Sequence, residues 1–106
     1  MTASTFDPRQ ASDFVGAKWD AEIVPQLVDY IRIPNKSPMF DADWVANGHM
    51  ERAVSLMETW ARAQDVPGMT LEVVRLEGRT PLIFIEVPAA NGGRNDDCIL
   101  LYGHLD

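Results

Sequence analysis

A single cysteine in 106 residues excludes an internal disulfide and a zinc cluster built on thiolates. Long hydrophobic runs are missing too. The longest is residues 98–102 (CILLY), far short of the roughly 20 apolar residues that cross a bilayer. Basic residues are scarce: 9 Lys+Arg against 16 Asp+Glu leave a net charge of −7. That balance argues against a nucleic-acid partner, because phosphate binding relies on a basic surface that releases counterions. The opening MTASTFDPRQ has neither a basic start nor an apolar core, so it does not read as a secretory signal. There is no repeat and no low-complexity tract. Gly92-Gly93 has no Lys-Ser and no helix after it, so no phosphate cradle is read there. What is present is a 46% hydrophobic composition, too rich in core formers for a disordered tail. The expectation is one soluble, cytoplasmic domain at most, with a radius of gyration of roughly 13 Å.

Residues 1–18 mix small and polar types and read as an arm or a helical lead-in. From Trp19 the spacing becomes helical, with Ile23, Val24, Leu27, Val28 and Ile31 on one face. Pro25 lies inside that stretch and predicts a kink or a helix starting nearby, because it lacks an N–H and crowds the carbonyl four residues back. Pro34 ends the segment, and residues 35–38 are turn chemistry. A second helix is marked by Met50, Ala53, Val54, Met57, Trp60 and Ala61 toward a core, with Glu51, Arg52, Ser55, Glu58 and Arg62 largely opposite. Asp41 or Asp43 is the expected cap, and Pro67-Gly68 closes the helix.

Beyond residue 69 the period shortens to two. Residues 71–76 (LEVVRL) and 82–87 (LIFIEV) predict an antiparallel hairpin across a turn at 77–80. Residues 88–97 (PAANGGRNDD) read as a loop. Residues 98–102 then suit a strand buried on both faces of an α/β sheet. The fold class read from this order is α/β: two helices, then three strands. Such a buried strand needs neighbours on both sides and helical layers above and below, which this chain cannot supply. The expectation is therefore an incomplete part of a three-layer α/β/α domain, with residues 19–106 as its amino-terminal portion. A small complete two-layer domain is the alternative.

The chemistry concentrates in Gly103-His104-Leu105-Asp106. In a strand, residues two apart point to the same side, so His104 and Asp106 project together. They follow a buried strand, where ligands collect in open α/β sheets. Gly103 leaves room for close approach. An imidazole can hold a metal through one nitrogen while a carboxylate accepts from the other N–H and fixes the ring. The same pair also reads as a polar strand end facing water.

CILLYGHLD resembles the strand-and-ligand motif of the zinc-dependent aminoacylase, acetylornithine deacetylase, carboxypeptidase G and carnosinase-like dipeptidase family. Residues 30–41 (YIRIPNKSPMFD) are similar to the segment after that family's first helix, and Trp60 with the Pro-Gly turn matches its next helix exit. Residues 77–88 (EGRTPLIFIEVP) resemble the hairpin of dipeptidase-like members. The resemblance spans residues 19–106. It implies a hydrolase holding two zinc ions and cleaving small peptides or N-acyl amino acids at an amide bond next to a free carboxylate. It implies that His104 is a metal ligand and Asp106 the catalytic residue that orients it. The bridging carboxylate, the general base and the second histidine of the family lie beyond this motif. The isolated chain is accordingly expected to be inactive, to hold zinc weakly and to self-associate through open sheet edges.

The remaining conspicuous residues have plainer uses. His49 reads as a surface or helix-start histidine. Cys98 beside Asp96 and Asp97 reads as a small core residue, since those acids disfavour a thiolate. Asp41, Asp43 and Glu51 lack the ligand ladder of a calcium loop and read as capping or solvated groups. Trp19, Trp44 and Trp60 read as core. Two other functions stay in play: a non-catalytic α/β lobe that pairs with another chain, and a small nucleotide-binding module, which the missing Gly-rich turn disfavours.

Overall fold

The computed structural model describes residues 5–90, 92–94 and 96–106. The first four positions of the expected arm, and Asn91 and Asn95 of the expected loop, lie outside the described residues. The protein is mixed α/β and divides into two compact units, one running to Arg32 and the other Ile33–Asp106.

The first unit is helical. Helix α1 (Pro8–Lys18) starts at Asp7, whose carboxylate accepts from the backbone N–H groups of Arg9 and Gln10 at 3.0 and 3.3 Å. Pro8 occupies the first turn, where its missing N–H costs nothing. A π-helical turn (Trp19–Ile23) connects α1 to α2 (Val24–Ile31). Here the Val24 N–H reaches the Trp19 carbonyl, five residues back. The wider turn makes room where the Pro25 ring would otherwise crowd the chain, so the proline produces a bulge and not a break. The apolar residues read on one face of this helix are largely uncovered: Val24, Leu27, Val28 and Ile31 are exposed, Ile31 by 76%. Trp19, expected in a core, is exposed as well. The reason is geometric: one helical run has nothing within its own unit against which to close a face.

The second unit holds α3 (His49–Arg62), β1 (Thr70–Val74) and β2 (Leu82–Glu86). The cap of α3 differs from expectation. Gly48, at φ 72°, is the N-cap residue and contributes no side chain; Asn47 Oδ1 accepts from the His49 N–H at 3.2 Å instead. Asp41 is drawn into the preceding turn, where it accepts from the Asp43 N–H at 3.1 Å and from Asn47 Nδ2 at 2.6 Å. Met50, Ala53 and Val54 of α3 are the buried apolar residues, and Met57, Trp44 and Trp60 are half-buried.

The hairpin is antiparallel, with Leu71 opposite Ile85 and Val73 opposite Ile83. Alternation sets these four on one face and places Phe84 and Leu82 on the other, where they are exposed. Two polar grips join helix to hairpin. Arg75 makes a bidentate pair with Glu51, Nε to Oε1 at 3.1 Å and Nη2 to Oε2 at 2.8 Å. Arg62 binds Glu58 one turn back and donates to the Leu71 carbonyl at 3.3 Å. The Arg75 hydrogen bond holds the Glu51 carboxyl below the usual glutamate range, against the small opposing effect of burial.

Residues 98–102, expected as a third strand, form no ladder with the described residues. Ile99, Leu100, Leu101 and Tyr102 are 81–90% exposed, and Cys98, expected in a core, is exposed and free. A lone apolar segment has neither hydrogen-bonding neighbours nor covering helices here, so its composition alone does not make it a strand. Among the described residues, no helix is long and apolar enough to cross a membrane.

Candidate metal centre

The site is built on the tail that follows residue 102. Gly103 has open space where a Cβ would sit, so the backbone there can approach a ligand closely. Tyr102, His104 and Asp106, at steps of two, form one hydrogen-bonded row. His104 Nδ1 lies 3.1 Å from Asp106 Oδ1, and His104 Nε2 lies 3.0 Å from the Tyr102 hydroxyl. The two rings meet edge to face, with centroids 5.1 Å apart.

The chemistry of the row assigns its protons. A carboxylate only accepts, so Nδ1 carries the hydrogen and donates it to Asp106. In the neutral ring Nε2 is then the bare nitrogen and accepts from the Tyr102 O–H. This neutral tautomer is the one a metal-binding imidazole needs, with the carboxylate orienting the ring and the Nε2 lone pair usable once the Tyr102 hydroxyl leaves it. The His104 side chain is 65% exposed and that of Asp106 26%, so the ring faces solvent with the Tyr102 hydroxyl on its Nε2.

Behind the row lies an open cavity of about 640 Å³. Met50 and Val54 of α3 and Ile83 and Ile85 of β2 form apolar walls, with the Ser37 and Thr80 hydroxyls at the margin. No lysine or arginine lines it. His104 and Asp106 are therefore the charged or chargeable groups at its rim.

No family model and no curated protein matches the chain. The donors at the site are the His104 imidazole and the Asp106 carboxylate. They fit zinc in kind: an imidazole whose Nε2 lone pair is shared with the Tyr102 hydroxyl, backed by a carboxylate. They fall short in number, since tight zinc sites use three or four ligands and no group of three His, Cys, Asp or Glu gathers among the described residues.

His49, at the start of α3, is half-buried, its Nδ1 lacks a hydrogen-bond partner, and it does not line this cavity. Asp96 is taken up by Arg94, whose Nε lies 3.0 Å away and whose side-chain hydrogen bond keeps that carboxyl below the ordinary range.

Two residues of the site went unread in the sequence. Tyr102 had a usable signal, since the two-residue period that pairs His104 with Asp106 extends back to it. Asn35 had none. Its side-chain amide donates to the Leu105 carbonyl at 3.0 Å across 70 positions, and turn composition does not announce such a contact.

Proposed function

We propose that the chain is the amino-terminal part of a zinc-dependent metallohydrolase, of dipeptidase or deacylase type, that cleaves small peptides or N-acyl amino acids. The observation that carries this reading is the His104 Nδ1 to Asp106 contact of 3.1 Å, which leaves Nε2 as the metal-facing nitrogen. In this reading His104 is one ligand, and Asp106 fixes its tautomer and orientation. His104 would hold one ion of a zinc pair, which when bound would supply an activated water and polarise the scissile carbonyl. The remaining ligands and the general base come from chain beyond Asp106. Residues 98–102 become a central strand of a three-layer α/β/α domain once neighbours flank them. The location proposed is cytoplasmic, and the chain by itself is inactive.

Two measurements test this. The natural reading frame is expected to continue into further carboxylate and histidine motifs; a stop codon directly after Asp106 ends the proposal. Zinc added to the isolated chain is expected to bind weakly and to shift His104 Nε2 before any other imidazole nitrogen. Tight stoichiometric binding by calorimetry contradicts the assigned ligand count.

A second reading draws on a separate observation. Only Met50, Ala53 and Val54 are buried apolar residues among those described, while α2, the outer hairpin face and residues 99–102 expose apolar surface. Surfaces of that kind are used by partners, as in a non-catalytic lobe that assembles with another chain. Light scattering across a concentration series separates the two readings. Stable assembly without any zinc response favours the lobe.

A further inference from the structure

Leu105 is where the tail meets the body of its unit. Every residue from 96 to 104 that the structure describes is exposed, whereas Leu105 is half-buried and lines the cavity. Its carbonyl accepts from Asn35 Nδ2 at 3.0 Å. The same nitrogen lies 3.8 Å from Sδ of Met50, which is only 5% exposed. An amide nitrogen carries two hydrogens, so it can serve both acceptors. Asn35 is itself held, because Pro34 precedes it and its backbone N–H bonds the Ile33 carbonyl at 2.7 Å. The side chain therefore runs from the packed part of α3 to the residue between His104 and Asp106.

We propose that Asn35 is the positioning residue of the His104–Asp106 pair. Both side chains share one side only while the backbone at Leu105 keeps its conformation. Rotation there swings the carboxylate away from Nδ1 and frees the ring to exchange tautomers. Asn35 fixes the Leu105 carbonyl and with it the ring's orientation. The residue type matters, since an aspartate of the same shape lacks the N–H and would set two acceptors against each other. The purpose of this strap rests on the metal-ligand reading above, but its geometry concerns this chain alone.

The experiment is imidazole ¹⁵N spectroscopy on the 106-residue chain, without metal, at a pH where the ring is neutral. The wild type is expected to show a protonated Nδ1 and a bare Nε2 with well-separated shifts. Asn35→Asp and Asn35→Ala are expected to collapse that separation toward the tautomer average. Amide-exchange protection at Ala53 and Val54 stays at its wild-type level, and Asn35→Gln, which keeps a donor, recovers part of the separation. An averaged ring in the wild type overturns the proposal, as does an unchanged ring in both variants. Loss of protection at Ala53 in both variants also overturns it, by making Asn35 a residue of the fold at large. Zinc alone, added to the wild type, tests the other reading: if Nε2 ignores zinc, the ligand assignment falls while the strap stands.

Discussion

The Tyr102 hydroxyl lies 3.0 Å from His104 Nε2, on the lone pair that a metal ion would use. Phenol and metal are therefore competitors for one nitrogen. Tyr102 is 81% exposed and free to swing out, so the contact lowers metal affinity without blocking the site. Tyr102→Phe removes the competitor and keeps the ring. A neutral hydrogen bond is worth about 1 kcal/mol, so zinc is expected to bind roughly five-fold tighter in the variant. The His104 Nε2 shift during zinc addition measures this, and equal affinities remove Tyr102 from the site.

Asp106 acts through the ring. Replacing an orienting carboxylate behind a metal-bound histidine typically costs 10- to 100-fold in affinity, so Asp106→Ala is expected to weaken zinc binding at His104 by about tenfold or more. Asp106→Asn retains an acceptor oxygen and should fall between wild type and alanine. If alanine and wild type bind alike, Asp106 does not orient the ring.

Acid is expected to loosen the joint between α3 and the hairpin. Glu51 is held below its ordinary range chiefly by the Arg75 hydrogen bond. A carboxyl depressed in the folded state adds stability above its unfolded value, and that stability is lost as pH falls through the folded value. Urea unfolding should thus show stability dropping on the acid side of the ordinary glutamate range. In Arg75→Met that part of the drop should vanish. Both residues are about half exposed, so the effect should also shrink in high salt.

Gly48 gives the simplest backbone test. It sits at φ 72° with nothing within 4 Å of where a Cβ would stand, so a substitution meets strain but no clash. Gly48→Ala is expected to destabilise the second unit by about 1 kcal/mol, and Gly48→Asn by less, because asparagine tolerates the left-handed region. Denaturant midpoints at constant slope decide it.

Local patterns were legible where one element was enough to satisfy them. Of the stripe read on α3, Met50, Ala53 and Val54 are buried while Met57, Trp60 and Ala61 are half-buried, and the hairpin forms with Leu71 opposite Ile85 and Val73 opposite Ile83. The cap of α3 differs from the reading because Asp41 and Asp43 look equally good in sequence, while Asn47 stands four residues closer to the helix start than Asp43. The apolar faces of α2 and of residues 98–102 are real in sequence, but apolarity states a demand for cover and does not provide it. Of the candidate site, the His104–Asp106 pairing followed from the two-residue period alone. Asn35 did not, because its role depends on a contact 70 positions away.

The bulge at Trp19–Ile23 also sets the angular phase of the first unit. One residue of slack rewinds everything downstream by roughly 100°, the rotation of a single helical position. Counted without it, Val15 and Leu27 would sit about a third of a turn apart; with it they fall nearly in line. Val15 of α1 is thereby brought onto the line of the apolar face of α2, and the proline that sequence logic treats as an interruption sits beside the turn that aligns them.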